Sequence, residues 1–226
     1  MRLILVGCEY AGKTTLANEI VKWIGRTMGG ERTFHDHFTV PSSEFTEEEQ
    51  EQFLALSPRI KENFQRYVIE YHLHPSFYSD PDHNLVGLHI EEAVYAPLYY
   101  GYAGHYGAER GTTDRSALAR AVEKEIMARA PDTVLILLKA SKEVIARRMN
   151  EAPHERGVVR EEDIDAVLQR FEEEYQNSLI RHRFILDTST ATVEATINEF
   201  ASKIERHLTE ADRLRILTHK ALSKDA

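Results

Sequence analysis

A glycine-rich loop near the start of the chain constrains the fold more than any other feature. Residues Val6–Thr15 read VGCEYAGKTT and fit the pattern G-x-x-x-x-G-K-[ST], with Gly7 and Gly12 as its two glycines. The apolar run Leu3–Leu5 precedes the loop, and apolar residues at helical spacing follow it. Glycines allow a backbone to approach phosphates more closely than any residue with a Cβ. The sequence therefore predicts a site for a nucleoside triphosphate, with an idle glycine turn as the alternative.

The residue types of this loop predict which atoms would contact the nucleotide. Backbone N–H groups of the loop and of the helix that follows would hold the β-phosphate. Lys13 would reach the β- and γ-phosphate oxygens, and the hydroxyl of Thr14 would bind Mg²⁺. Cys8 either fills space in the loop or is an oxidation-sensitive thiol that would block nucleotide binding when modified. The expected nucleotide-binding residues are Gly7, Tyr10, Ala11, Gly12, Lys13, Thr14 and Thr15, together with Arg148 from a later helix.

Length and charge restrict the class of protein. The 226 residues suffice for one α/β domain over 1–226, with a lid at about 150–160 and a helical tail at about 209–226. A net charge of -9 argues against binding to duplex nucleic acid, which needs a basic surface. The chain has no apolar run long enough to span a membrane, and its single cysteine suits a reducing compartment. We therefore expect a cytoplasmic protein.

Apolar runs alternate with helical patterns along the chain, as is typical of a parallel sheet covered by helices. The expected strands are residues 2–6, 31–38, 84–90, 133–138 and 183–187. The expected helices are residues 14–27, 46–72 with a break near Pro58, 116–130, 142–150, 161–179 and 193–208, before the tail. The pattern predicts a three-layer α/β/α fold with a five-stranded parallel sheet, whose ligands lie at the carboxyl ends of the strands.

The motifs of a GTPase switch are missing from the sequence. No Asp is followed by Gly three residues later, and the late Lys139 lies in the sequence LKAS rather than in a base-reading motif. Four arginines occur instead where a phosphotransferase would place its lid, namely Arg147, Arg148, Arg156 and Arg160. Such cations stabilise the charge on a transferring phosphoryl group. Solvated surface arginines are the alternative.

Over about residues 1–190 the sequence resembles the thymidylate kinase and deoxynucleoside kinase group of P-loop kinases. Besides the glycine loop, the resemblance rests on Asn63–Tyr67, Ile90–Gly101, Arg156–Glu162 and Phe171–Tyr175. It implies a P-loop NTPase fold that transfers the γ-phosphoryl of ATP to a nucleoside or nucleoside monophosphate, with ATP and Mg²⁺ as cofactors. It also allows a homodimer, as is frequent in the family. A kinase of another small metabolite, such as a sugar, and an NTP-binding regulatory module remain alternatives.

The resemblance also implies roles for individual residues. The expected catalytic residues are Lys13, Asp36, Arg156 and Arg160, and the expected acceptor-binding residues are Gln65, Arg66 and Tyr95. Asp36 would take the proton of the acceptor hydroxyl, with a turn or cap residue as the alternative. Glu91 would hold Mg²⁺ together with Thr14. Because neighbouring strand residues point to opposite sides, only one of Glu91 and Glu92 should face the metal.

Three departures from the family pattern bear on the acceptor. Tyr10 replaces a loop glycine, Glu92 replaces an arginine that contacts phosphate in the family, and Pro97–Leu98 replaces an Asp-Arg pair. Loss of these arginines weakens the case for a monophosphate acceptor, unless Arg59 or Arg66 supplies the charge. After the fifth strand, Asp187–Ser189 resembles the turn that borders the adenine, or else forms a helix N-cap.

Overall fold

A parallel β-sheet forms the centre of the computed structural model, which describes residues 1–30, 34–37, 45–73, 78–80, 82–102, 115–154 and 157–223. Its strands are β1 (Leu3–Val6), β2 (Phe34–His37), β3 (Asn84–Gly87), β4 (Val134–Lys139) and β5 (His182–Asp187). All neighbours pair in parallel, in the order β2-β3-β1-β4-β5. The predicted α/β class with a parallel sheet is confirmed.

The described helices lie between these strands in the sequence, except for the last two, which follow β5. In order, the helices are α1 (Lys13–Met28), α2 (Glu47–Ala55), α3 (Pro58–His72), α4 (His89–Tyr95), α5 (Arg115–Arg129), α6 (Lys142–Glu151), α7 (Ile164–Gln176), α8 (Val193–Ile204) and α9 (Glu210–Leu222). A π-helical turn, Ala96–Tyr100, prolongs α4. Helix α1 contacts α8 and α9, whereas α4 contacts α5 and α7.

The central strand β1 explains why helices must lie on both faces of the sheet. Each of its residues, Leu3–Val6, has 0% of its surface exposed. Successive strand residues point to opposite faces, so both faces are covered. Burial of one such aliphatic side chain contributes about 2 kcal/mol to stability.

The helical region predicted over residues 46–72 forms two separate helices. Helix α2 ends at Ala55, and Pro58 begins α3 with Ser57 as its N-cap.

The third strand is shorter than its apolar sequence predicts. Strand β3 ends at Gly87, whose φ of 84° is left-handed, and Leu88 follows with a φ of 62°. These two residues turn the chain, so α4 begins at His89. The expected strand end at Glu91 and Glu92 is therefore wrong: both residues lie in α4, and both are buried.

The sheet order places one loop at the centre of the molecule. Strand β1 lies between β3 and β4, and the chain leaves it through the glycine loop into α1. In open α/β sheets the crevice beside such a strand, at the carboxyl ends, binds ligands. No helix within the described ranges is long and apolar enough to cross a membrane.

Candidate active site

The loop between β1 and α1 has the backbone conformation that its glycines predict. Gly7 has a φ of 154°, and a Cβ there would lie 2.3 Å from the carbonyl oxygen of Leu138 on β4. Gly12 has a φ of 95° and occupies the N-cap of α1, where no side-chain hydrogen bond caps the helix. The N–H groups at the start of α1 are thus left for another acceptor, and the helix dipole there favours an anion.

A cavity of about 430 Å³ opens above this loop. Of the expected nucleotide-binding residues, those that line it are Tyr10, Ala11, Gly12, Lys13, Thr14, Thr15 and Arg148. Gly7 lies at the start of the loop, beside Leu138. Glu91 and Tyr95 of α4 close one side of the cavity, while Ala191 and Val193 provide an apolar wall. The volume and mixed lining suit a small ligand with charged and apolar parts.

Lys13 and Glu91 face each other at the base of the cavity. Lys13 Nζ lies 3.2 Å from Glu91 Oε1 and donates hydrogen bonds to the carbonyls of Gly7, at 2.7 Å, and Cys8, at 3.2 Å. The structure thus brings together the lysine and the acid that the sequence assigned to phosphate and metal. The glycine loop places the lysine, and the turn at Leu88 places the acid.

Two cavity residues beside Lys13 have side chains that suit Mg²⁺. Thr14 and Glu91 line the same cavity and offer a hydroxyl and a carboxylate oxygen, which are hard ligands of the kind Mg²⁺ takes. Within the described part of the chain, no three His, Cys, Asp or Glu side chains form a metal-binding group. Such a site suits a cation that takes most of its ligands from phosphate and water, as Mg²⁺ does with nucleotides.

Glu92 serves a different interaction from its neighbour. Arg115 Nε donates to Glu92 Oε2 at 2.7 Å, and Arg115 Nη1 donates to Glu62 Oε1 at 2.8 Å. All three side chains are almost fully buried. Burial raises the pKa of Glu92 to about 7, although Arg115 lowers it. Only Glu91 faces the cavity, because consecutive helix residues point about 100° apart; the two residues separate by helix geometry rather than by strand alternation.

Arg148 joins the loop to the turn after β5. Its guanidinium donates to the carbonyls of Tyr10, at 2.8 Å, and Thr188, at 3.0 Å. Thr188 Oγ1 in turn donates to the carbonyl of Ala11 at 2.9 Å. The N-cap of α8 is Thr192, so the interpretation of Asp187–Ser189 as a helix cap is wrong. Thr188 lines the cavity instead.

The other described arginines of the predicted lid, Arg147 and Arg160, are not in the cavity lining. Arg160 Nε donates to Asp163 Oδ2 at 2.8 Å, and its guanidinium lies 5.6 Å from the ring centre of Tyr99. Its side chain is 61% exposed. Arg156 lies outside the described residues. Among the described arginines of the predicted lid, Arg148 alone lines the cavity.

The expected acceptor-binding residues occupy two places. Tyr95 lines the cavity, and its hydroxyl accepts a hydrogen bond from the Glu9 N–H at 3.0 Å. Gln65 and Arg66 lie on α3 outside the cavity lining. Gln65 is 2% exposed, and its Oε1 has no hydrogen-bond partner among the described residues. An unpaired buried amide oxygen is costly, which marks it as a candidate ligand contact.

Two other predictions concern Asp36 and Cys8. Asp36 lies in β2 and pairs with Val86, a cavity-lining residue, while its side chain lies outside what the structure describes. Cys8 is 1% exposed, and burial raises the pKa of its thiol to about 12. Since the thiolate is the reactive form, the space-filling interpretation of Cys8 is favoured over the oxidation-sensitive one.

Sequence reasoning missed Glu9, Glu62 and Arg115. Glu9 occupies a variable position of the loop pattern, and its contacts lie about 150 residues away, at Val158 and Val159. Arg115 partners Glu92 from another helix, so no local spacing connects them. The sequence offers one signal for Arg115, namely the acidic residue Glu92. A carboxylate that becomes buried requires a cation, and that cation can come from another element.

Three solved structures show the same overall fold, although no protein-family model and no curated protein matches the sequence. The first is YorR protein from Bacillus subtilis in complex with phosphorylated GDP, with a TM-score of 0.57 and 18% identity, covering 93% of this chain and 100% of that one. The second is deoxyadenosine kinase from M. mycoides with bound dATP, with a TM-score of 0.59 and 16% identity, covering 90% of this chain and 99% of that one. The third is thymidylate kinase from Candida albicans, with a TM-score of 0.59 and 12% identity, covering 92% of this chain and 93% of that one. The chain therefore has the fold of P-loop kinases, a fold that it shares with nucleoside and nucleotide kinases.

Proposed function

We propose that this protein is a Mg²⁺-dependent kinase that transfers the γ-phosphoryl group of ATP to a nucleoside or nucleoside monophosphate. The observation that carries the proposal is the pairing of Lys13 with Glu91, at 3.2 Å, inside a cavity that also contains Arg148. A triphosphate needs a cation against its terminal oxygens and a carboxylate for its metal. The chain offers both, Lys13 at the start of α1 and Glu91 on α4.

On the donor side, the chain's own groups would bind and orient the triphosphate. The loop N–H groups and the N-terminus of α1 would hold the phosphates, and Lys13 would exchange the carbonyls of Gly7 and Cys8 for phosphate oxygens. Mg²⁺, when bound through Thr14 and Glu91, would neutralise charge that develops on the phosphates during transfer. Ala191 and Val193 would contact the base from the apolar side of the cavity.

On the acceptor side, Gln65 supports a nucleoside or nucleotide over a sugar. Its buried amide oxygen has no hydrogen-bond partner among the described residues and matches the hydrogen-bonding edge of a base. We assign Asp36 as the group that takes the acceptor's proton, since its strand adjoins Val86 at the cavity. The names of two similar structures, a deoxyadenosine kinase and a thymidylate kinase, agree with this class of acceptor.

Charge on the acceptor side favours a nucleoside over its monophosphate. Glu92 stands where the family has an arginine, and Arg115, which contacts it, is shared with a second carboxylate, Glu62. Arg66 also pairs with Glu62, at 2.5 Å. A phosphate entering here would meet cations that are already paired with carboxylates, so its desolvation would be poorly compensated.

A panel of acceptors tests the proposal. ADP formation and thermal stabilisation would be measured with nucleosides, deoxynucleosides, their monophosphates and several sugars, each with ATP and Mg²⁺. We expect one nucleoside group to raise ADP formation well above the acceptor-free rate and to stabilise the protein. A response only to sugars would identify a metabolite kinase. ADP formation independent of every acceptor would instead indicate an NTP-binding regulatory module.

A further inference from the structure

The side chain of Glu9 in the phosphate loop contacts the backbone of the lid. Its carboxylate accepts hydrogen bonds from the N–H groups of Val158, at 3.1 Å, and Val159, at 3.2 Å. Only 7% of the surface of Glu9 is exposed, so these hydrogen bonds form away from bulk water. Hydrogen bonds to a buried ionised acceptor are about twice as strong as neutral ones. Two consecutive amides directed at one carboxylate therefore fix the lid backbone locally.

The next loop residue, Tyr10, makes a second contact with the lid. Its hydroxyl accepts a hydrogen bond from the His154 N–H at 2.9 Å, and the two rings stack with their centres 4.0 Å apart. Tyr10 has a φ of 63°, which is uncommon for a residue with a Cβ. Such a conformation persists only when surrounding contacts enforce it, and here the lid and Arg148 provide those contacts.

The lid approaches the loop so closely that a side chain at Gly157 would be crowded. A Cβ at Gly157 would lie 3.0 Å from the Tyr10 hydroxyl and 3.1 Å from Glu9 Oε2. The backbone of Glu9 is held from the opposite side, because its N–H donates to Tyr95 of α4. The loop residues between the two glycines thus connect α4, α6 and the lid.

We propose that Glu9 and Tyr10 are positioning residues that transmit nucleotide binding from the phosphate loop to the lid. Any displacement of the loop on triphosphate binding moves the acceptor atoms that hold His154, Val158 and Val159. Val159 immediately precedes Arg160, so the same contacts hold the backbone next to that arginine. The contacts of Glu9 and Tyr10 with the lid are present whatever the protein's function. Their effect on turnover rests on the proposed kinase function.

Hydrogen exchange at individual amides tests the proposal directly. In Glu9→Ala we expect the Val158 and Val159 amides to exchange about tenfold faster than in the unaltered protein, and in Tyr10→Phe the His154 amide to do the same. Addition of ATP and Mg²⁺ should change exchange at Val158 and Val159 in the unaltered protein and not in Glu9→Ala. Glu151→Gln, which neutralises an exposed acid at the end of α6, is the matched control and should leave all three amides unchanged.

Turnover separates positioning from a purely structural role. We expect Glu9→Ala to lower kcat about tenfold with little change in the KM for ATP, because the lid acts in the transition state. Unchanged exchange at Val158 and Val159 would overturn the proposal, as would faster exchange with unaltered nucleotide response and turnover. If Glu9→Ala does not fold, Gly157→Ala disturbs the same contacts from the lid and should give the same pattern. A wild-type protein that forms no ADP with any acceptor would contradict the kinase function, while the nucleotide-dependent exchange would still decide this proposal.

Discussion

At the residue scale, the surroundings of Cys8 determine its chemistry. The thiol lies inside the phosphate loop, yet it is buried and its pKa is raised to about 12 by that burial. The positive charge of Lys13 offsets only part of the increase in pKa that burial causes. At neutral pH the thiol stays protonated, so it acts as a small apolar filler of the loop.

Cys8 should therefore resist alkylation in the folded protein. As the sole cysteine in the chain, it can be followed with a thiol-specific reagent at pH 8. We expect modification to be at least about a hundredfold slower in the native protein than in urea. In the native protein the reagent cannot reach the buried sulfur, and very little of the thiol is ionised. Stoichiometric labelling of the folded protein within minutes would contradict this account.

Glu92 should make stability depend on pH close to neutrality. Its pKa is 4.5 in the unfolded chain and about 7 when folded, mainly through burial. The folded state thus binds the proton more tightly, and the associated stability is complete below pH 4.5 and lost as pH rises to about 7. The Glu92→Gln variant should lack this loss of stability, which is about 3 kcal/mol for a pKa raised from 4.5 to about 7. Urea unfolding at several pH values measures it, and parallel pH profiles for both proteins would contradict the assignment.

At the element scale, most boundaries follow from local chemistry and one does not. Thr46 caps α2 with the capping box that its spacing to Glu49 predicts. The run after Asn84 is apolar and predicts a longer strand, but Gly87 and Leu88 adopt left-handed φ values and end it. Glycine can extend a strand or end it, and nothing in the sequence decides which. The predicted strand-end positions of Glu91 and Glu92 are therefore wrong.

Helix α9 is held to the rest of the molecule by a charged contact. Arg215 donates two hydrogen bonds to Asp82, at 2.8 and 3.0 Å. Burial alone would raise the pKa of Asp82, but Arg215 and the amino group of Met1 lower it to about 2. The stabilisation is thus present above pH 3.8 and lost as pH falls through about 2.

Arg215→Met should destabilise the protein by about 1–2 kcal/mol at pH 7, because Asp82 loses a partly buried partner. The difference should narrow as pH falls from about 4 towards 2, since Asp82 becomes protonated. Arg213→Met, on an exposed position of the same helix, is the control. Urea unfolding of both variants checks the effect, and equal stabilities at pH 7 would argue against the contact.

At the scale of the whole molecule, the residues around the phosphate loop are easier to predict from the sequence than the cluster of Glu62, Glu92 and Arg115. Residues 9–16 of the cavity lining are contiguous in sequence, whereas Glu91, Arg148 and Thr188 reach the cavity from other elements. That cluster joins α3, α4 and α5, and its members Glu62 and Arg115 lie 53 residues apart. Pairings of this kind depend on packing, and a single sequence gives no periodic signal for them.

We propose that the loop, the cavity and the Lys13–Glu91 pair together form a kinase donor site. ATP labelled in its γ-phosphoryl group tests it most directly, with the acceptor that the panel identifies. We expect label on the acceptor hydroxyl with the unaltered protein and at least about a hundredfold less with Lys13→Ala. Lys22→Ala, on the exposed face of α1, should transfer label normally. Equal transfer by Lys13→Ala, or release of label only as inorganic phosphate, would contradict the account.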